Sequence, residues 1–446
     1  LEKLGVIMKI PQKVPVMPKD FNYGEVLEQL RQQGRFSAFL LANESRYYYY
    51  DKWRYLAQDW NFDPKVLWAA VKSTRAGNIR LSISDVRGFD FQIGSPSIVQ
   101  EYLHKFDMEL GGSLLGDGII PATDRDRYLI SSLMEEAIAS SQLEGAATTR
   151  RIAKEMLESK RKPKNASEQM ILNNYEAMKW IVANKSAPFS IETIQQLHSI
   201  LTASTLPVNE EGTFRKTNDI NVVDVQSGEI IYRPPAAEYI DLLMKDFCLF
   251  ANDQNKNDFF IHPVTKGIIL HFLIGYIHPF SDGNGRTART IFYWYLIKHG
   301  YWLIEYMSVS RIILNSKAQY ARAYLHTEQD DNDLTYFLIY NLRSIHLALA
   351  GLKIYIKRKS SEKQNAMTLL RNTDLNERQI LLIQEVIRHP LVYFTVVQME
   401  NKFGVSNQTG RNDLKGLVEK GFFETRRNGH HIQFLPVKDF ARKISE

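Results

Sequence analysis

Twelve consecutive residues, His278-Pro279-Phe280-Ser281-Asp282-Gly283-Asn284-Gly285-Arg286-Thr287-Ala288-Arg289, bring together most of the groups that phosphoryl-type transfer requires. Gly283 and Gly285 let the backbone approach a ligand with no side chain in the way. The loop opens into a helix, whose free N-terminal amides and macrodipole favour an anion. Arg286 and Arg289 are three residues apart, share a helix face, and can both reach a polyphosphate beyond that cradle. Asp282 at its entrance is a hard oxygen ligand suited to Mg²⁺ bridging phosphate oxygens. His278 can accept a proton from an incoming hydroxyl near neutral pH. Taken singly, each group has a plainer reading: a core histidine, an Asp-Gly turn, two solvated arginines. The order and spacing of all of them point to chemistry.

The flanking sequence supplies the elements that must hold this loop. Apolar runs Ile268 to Ile277 and Ile291 to Ile297 read as two helices on either side of it. Leu129, Ile130, Leu133, Met134, Ala137 and Ile138 recur at three and four, so Asp124 to Glu144 is an amphipathic helix that Gly145 can end. Further helices are predicted at about 166 to 184, 190 to 202, 236 to 252, 263 to 277 and 284 to 298. Between them, Ile220, Val222, Ile230 and Tyr232 alternate around Gln226-Ser227-Gly228-Glu229, a hairpin signal. The aromatic clusters Tyr47 to Tyr50, Trp53, Trp60 and Trp68 read as core packing of an N-terminal helical unit.

The twelve residues resemble the signature of the Fic (filamentation-induced-by-cAMP) family, His-Pro-Phe-x-Asp/Glu-Gly-Asn-Gly-Arg-x-x-Arg. The similarity continues through Gly212-Thr213-Phe214-Arg215, Tyr232-Arg233-Pro234-Pro235 and His262-Pro263, over roughly residues 115 to 300. The resemblance implies a helical Fic core that transfers AMP from ATP to a Ser, Thr or Tyr hydroxyl of a target protein. By the same implication His278 is the base and Asp282 holds Mg²⁺. Gly283, Asn284 and Gly285 hold the α- and β-phosphates, Arg286 and Arg289 bind phosphate oxygens, and Phe280 anchors the loop. The hairpin carrying Asn218, Asp219, Ile220, Ile230, Ile231 and Tyr232 would be a flap that aligns the target's backbone by strand addition.

Glu144 sits at a helix C-terminus, where the macrodipole disfavours a negative side chain. Ser140-Ser141-Gln142-Leu143-Glu144-Gly145 is similar to the inhibitory motif [Ser/Thr]-x-x-x-Glu-[Gly/Asn] of Fic proteins that carry their inhibitor N-terminal to the active site. That similarity implies that Glu144 pairs with Arg289 and that the resting protein is largely off. It also implies removal of AMP from modified targets as a secondary activity.

The chain has 446 residues, is 44% hydrophobic and carries a net charge of +6, enough for two or three domains. Its one cysteine, Cys248, excludes an internal disulfide and a thiolate zinc site. With no long apolar run and no signal-peptide pattern, a soluble cytoplasmic protein is expected. From residue 351 onward there are 17 Lys and Arg against 10 Asp and Glu, leaving 39 against 40 before it. The positive excess therefore belongs to the C-terminal quarter. There, Leu375 to Ile387, Thr395 to Phe403 and Ser406 to Lys420 read as helices. Phe422 to Arg427 and His430 to Leu435 flank the hairpin turn Asn428-Gly429. This order resembles a winged helix, with Gln408, Thr409, Arg411, Asn412 and Lys415 on a recognition helix and Arg426, Arg427 and His430 on the wing.

The expected architecture is mainly α: an N-terminal helical unit (1–110), a Fic core with an inhibitory helix and small β-hairpin flap (111–358), a linker at Ser360 to Gln364, and a winged helix (365–446). The leading expectation is an autoinhibited protein adenylyltransferase using ATP and Mg²⁺ on an unidentified target. The rival is a nucleotide-sensing, DNA-binding regulator. Self-modification, a homodimer and a DNA partner are open expectations, and no membrane partner is expected.

Overall fold

A computed structural model of the protein describes residues 10–111, 125–223, 230–254, 259–369, 374–389, 392–428, 431–440 and 443. The architecture is mainly α, with three two-stranded antiparallel sheets among the described residues. None of the described helices is long and apolar enough to cross a membrane.

An N-terminal cluster is built from α1 (Tyr23–Gln32), α2 (Phe36–Leu41), α3 (Tyr50–Asp59) and α4 (Pro64–Thr74), whereas α5 (Ser97–Glu109) buries Val99, Leu103 and Phe106 in the central core. Tyr47, Tyr49, Tyr50, Trp53, Trp60 and Trp68 are buried together in the core of that cluster, as the sequence indicates. Between α4 and α5 lies a hairpin, β1 (Ile79–Ser84) with β2 (Asp90–Ile93), that helical periodicity did not reveal. Polar bonds from Tyr47 Oη to Asp333 Oδ2 (2.7 Å) and Arg75 Nη1 to Tyr336 Oη (2.6 Å) tie the unit to the rest of the chain.

The central body begins with α6 (Arg125–Leu143), α7 (Arg150–Ser159), α8 (Ala166–Ala183) and α9 (Ile191–Thr202). Ser190 and Thr193 form a reciprocal capping box that starts α9. After the short strands β3 (Val222–Val223) and β4 (Ile230–Tyr232) come α10 (Ile240–Ala251), α11 (Pro263–Ile277) and α12 (Asn284–Lys298). Pro263 at the first helical position favours the start of α11. This helix is apolar on every side, so it can be stable only in the interior. Ile268, Leu270, Phe272 and Leu273 on α11, with Ile291, Trp294 and Leu296 on α12, are almost wholly buried. This two-helix core is the rigid base from which the intervening loop projects.

α13 (Val309–Leu314), α14 (Lys317–Gln329) and α15 (Thr335–Leu369) close the body. The linker expected at Ser360 to Gln364 is instead continuous helix within α15. No glycine or proline interrupts Lys357 to Leu369, and lysine, glutamate, glutamine and alanine there all favour helix. Beyond it, α16 (Glu377–Arg388), α17 (Val396–Phe403) and α18 (Asn407–Glu419) precede the hairpin of β5 (Phe423–Asn428) and β6 (His431–Pro436). Gly404, in the left-handed region at φ +64°, ends α17, and Ser406 caps α18. This unit has its own core, including Leu382, Ile383, Met399, Leu414, Leu417 and Phe434.

Candidate active site

His278 ends α11 in the left-handed region, with φ +51°. A non-glycine residue there carries strain of about 1 to 2 kcal/mol, so the surroundings must hold it. Arg215 does so. Its Nε donates to the His278 carbonyl (2.8 Å) and its backbone N–H to the Pro279 carbonyl (2.9 Å), while Nη1 reaches the Thr217 carbonyl (2.7 Å). One buried guanidinium thus fixes the loop to the segment that leads into the β3–β4 hairpin. Nδ1 of His278 faces the Gly275 carbonyl at 3.4 Å, which leaves Nε2 as the lone-pair nitrogen when Nδ1 carries the proton. Burial lowers its pKa to about 4, so the imidazole is neutral and able to accept a proton at pH 7.

Inside the loop, Phe280 is fully buried, with its ring stacked on His198 (centroids 3.6 Å apart) and against Phe214. His198 was not apparent as a site residue from sequence. It accepts from the Gly212 N–H at Nδ1 (3.0 Å) and donates from Nε2 to the Asp282 carbonyl (2.8 Å), which defines its neutral tautomer. Burial lowers its pKa to about 4, consistent with that role. Gly283 is at φ +82°, and a Cβ there would come within 2.9 Å of Thr202 Cγ2. Only glycine accommodates both the backbone conformation and the approach.

Asn284 behaves differently from the phosphate contact that the family resemblance implies. Its Oδ1 accepts from the Phe280 N–H and its Nδ2 donates to the Phe280 carbonyl, both at 2.9 Å. The side chain is committed to closing the loop, so its backbone N–H is what remains for an anion. Arg286 is also buried; its Nη1 donates to the Leu201 carbonyl (2.6 Å), while its Nε has no partner among the described residues. A buried donor without an acceptor beside a glycine-lined helix N-terminus fits an anionic ligand. Asp282 Oδ1 accepts from the Gly283 N–H (2.7 Å) at the mouth of that site. A single carboxylate there suits Mg²⁺, which typically takes one or two carboxylates along with substrate phosphates.

Glu144 follows the last turn of α6 and enters this cradle. Its Oε1 lies 2.8 Å from Arg289 Nη2, and a Cβ built on Gly285 would collide with the same carboxylate. Arg289 is further engaged, with Nε donating to Ser140 Oγ (2.9 Å) and Nη2 to the Ser140 carbonyl (3.0 Å). Burial works against the Glu144 charge, but Arg289 outweighs it and holds the carboxyl down at about 2. Arg289 is correspondingly raised: burial is the largest single influence and lowers it, but Glu144, Tyr320 and Glu136 together outweigh that cost. A second attachment lies two helical turns back. Buried Glu136 accepts from Tyr293 Oη (2.9 Å), Ser308 Oγ (2.9 Å) and the Ser310 N–H (3.1 Å). Glu136, Ser140 and Glu144 are spaced by four on α6 and its end. They meet Tyr293, Arg289 and Gly285, spaced by four on α12 and running the other way.

The hairpin stands beside His278. Val222 pairs with Tyr232 and Val223 with Ile230, and Tyr232 Oη donates to the Tyr276 carbonyl (2.8 Å), two residues before the base. Asn218 Oδ1 accepts from the Ala237 N–H (2.7 Å), pinning the base of the hairpin, while Asp219 and Ile230 are exposed and Ile220 half-buried. The turn Gln226 to Glu229 lies outside the described residues.

Fold and site together define a helical domain that presents a helix N-terminus, a neutral buried histidine and two arginines around the point where the Glu144 carboxylate sits. Residues 188–296 match the Fic/DOC family. The chain therefore carries a Fic domain. It is 34% identical over 134 residues to a Protein adenylyltransferase Fic of Aedes aegypti, covering 29% of this chain and 25% of that one. Against a Protein adenylyltransferase Fic of Nematostella vectensis it is 29% identical over 183 residues, covering 39% and 40%. Among solved structures, a Fic-1 fragment of C. elegans superposes with a TM-score of 0.46 at 18% identity, covering 76% of this chain and 86% of that one. The matched stretch spans a quarter to two fifths of the length of these two curated relatives.

Proposed function

We propose that the chain transfers AMP from ATP to a Ser, Thr or Tyr hydroxyl of a protein and rests in an inhibited state. The observation that carries this reading is the Glu144 carboxylate seated against Gly285 and paired with Arg289, inside a loop that otherwise holds a base, a cradle and a cationic clamp. The relatives named protein adenylyltransferase support the reaction class.

In the reaction, the hydroxyl oxygen bonds to the α-phosphorus, the bond from that phosphorus to the oxygen leading to the β-phosphate breaks, and pyrophosphate leaves. The hydroxyl proton passes to His278 Nε2, which burial keeps neutral. Amides at the start of α12 and the Arg286 and Arg289 guanidiniums bind non-bridging oxygens, favouring the charge that builds up there. When bound at Asp282, Mg²⁺ neutralises phosphate charge. The exposed edge of the β3–β4 hairpin offers backbone hydrogen bonds to an extended target segment, bringing its hydroxyl to His278. Hydrolytic removal of AMP is the companion activity: a water oxygen bonds to the phosphorus of AMP as the bond from that phosphorus to the target oxygen breaks, Glu144 takes a proton from the water, and the target oxygen leaves with a proton from protonated His278, which is replenished from Glu144.

Glu144 competes with the ligand for Arg289 and the cradle. Replacing it by glycine is expected to raise incorporation of labelled AMP from ATP and Mg²⁺, by tenfold or more given about 1.4 kcal/mol per decade. Equal incorporation by wild type and Glu144→Gly would remove the brake from this reading.

A further inference from the structure

Four exposed cations stand on two neighbouring elements of the C-terminal unit, α18 and β5. α18 turns Asn407, Gln408, Arg411, Asn412 and Lys415 to solvent, while Gly410, Asp413, Leu414 and Leu417 pack inward. Arg426 and Arg427 are exposed on the adjoining strand β5. Among the described residues, no side chain of Arg411, Lys415, Arg426 or Arg427 has a hydrogen-bond or ion-pair partner. Helix and hairpin enclose a cleft of about 570 Å³ lined by Lys415, Arg426 and Arg427, with Glu419 the acid in its lining. Ile432, 46% exposed, is the large exposed hydrophobic of this face, which is too little apolar surface for a protein-docking patch. Unpaired cations in a row call for a polyanion. A 13-residue helix about 20 Å long fits the major groove of duplex DNA, whereas the deep, narrow groove of duplex RNA does not admit one.

We infer that α18 and the β5–β6 hairpin form a duplex-DNA-binding surface, with Arg411, Lys415, Arg426 and Arg427 on phosphates and Gln408 and Asn412 facing base edges. Thr409 is committed to the helix cap, its Oγ1 lying 2.9 Å from Ser406 Oγ, and His430 lies outside the described residues.

A separate observation extends this surface to the active site. α17 packs against α18 on one side and against α6 and α7 on the other. Asn401 Nδ2 donates to the Glu158 carbonyl (2.5 Å) across that seat, which leaves a cavity of about 750 Å³ lined by Met134, Arg150, Lys154, Tyr355, Gln384 and Lys402 among others. The helix that delivers Ser140 and Glu144 is therefore one of the two on which the DNA-binding unit rests. DNA bound at α18 loosens that helix and releases the brake, a step that rests on the inhibitory reading of Glu144.

The test uses the full chain and a labelled mixed-sequence 30-base-pair duplex, followed by fluorescence anisotropy. Four phosphate contacts imply binding that weakens by about 10²-fold between 50 and 200 mM salt. Arg411→Glu with Lys415→Glu should abolish it, and Arg426→Ala with Arg427→Ala should lower the salt slope by about 2, both without change in melting temperature. Absence of binding at 50 mM salt and tens of micromolar protein, wild-type binding by these variants, or preference for duplex RNA overturns the surface. Saturating duplex should also raise AMP incorporation by wild type toward that of Glu144→Gly. Binding without that rise, while Glu144→Gly is active, overturns the coupling and leaves the surface standing. A silent Glu144→Gly overturns the brake, and the coupling with it.

Discussion

At Glu144, burial and charge pull in opposite directions, and the Arg289 guanidinium prevails, holding the carboxyl at about 2. Because the folded pKa lies below the ordinary 4.5, the pair stabilises fully above that pH and is lost only as pH falls through about 2. The contribution is about 3 kcal/mol. Incorporation of AMP by wild type should therefore stay at its resting level when pH is lowered from 7.5 to 5, and a rise toward the Glu144→Gly level would show that the carboxylate titrates. His278 shifts chiefly through burial, with the Arg215 guanidinium adding to the same direction. Its lowered pKa means that the unfolded chain takes a proton the folded one refuses, so stability declines as pH falls from 6.5 toward 4. In the Glu144→Gly background, the acid limb of kcat/KM should lie near 4. A limb at 6.5 would mean that a solvent-exposed base does the work.

α6 is the element that makes inhibition possible, and it is held at two points. Glu136→Ala would leave Tyr293 Oη, Ser308 Oγ and the Ser310 N–H without their acceptor, costing about 1 to 3 kcal/mol in urea denaturation. AMP incorporation should rise with it, because Ser140 and Glu144 are delivered by the same helix. Unchanged incorporation despite lost stability would confine the control to Glu144 itself. Sequence disclosed the loop well, because two glycines break a run between two apolar helices. It disclosed α6 because its apolar residues recur at three and four. It did not disclose Glu136 or His198: each acts through partners far away in sequence, and nothing in the local pattern distinguishes a buried, satisfied polar residue from a solvated one. Asn284 shows the same limit in reverse, since its motif position suggested a ligand contact while its side chain closes the loop. The β1–β2 hairpin was legible in principle and went unread: Ile79, Leu81 and Ile83 alternate on β1, and Phe91 and Ile93 on β2, about the turn Val86 to Gly88.

For the molecule as a whole, the occupied cradle sets how strongly ligand stabilises the fold. ATP with Mg²⁺ should raise the melting temperature of Glu144→Gly more than that of wild type, since a ligand bound more tightly to the folded state adds RT ln(1 + [L]/Kd). Equal shifts would place the nucleotide somewhere Glu144 does not reach. The continuity of α15 through Ser360 to Gln364 was not visible in the sequence, since serines alone do not end a helix. The central claim, a capable site held off by Glu144, is tested most directly by mass spectrometry of protein mixtures incubated with ATP and Mg²⁺. The expected result is AMP on Ser, Thr or Tyr side chains with Glu144→Gly, little with wild type, and none when His278→Ala is added. Equal labelling by wild type and Glu144→Gly, or labelling that survives His278→Ala, would contradict it.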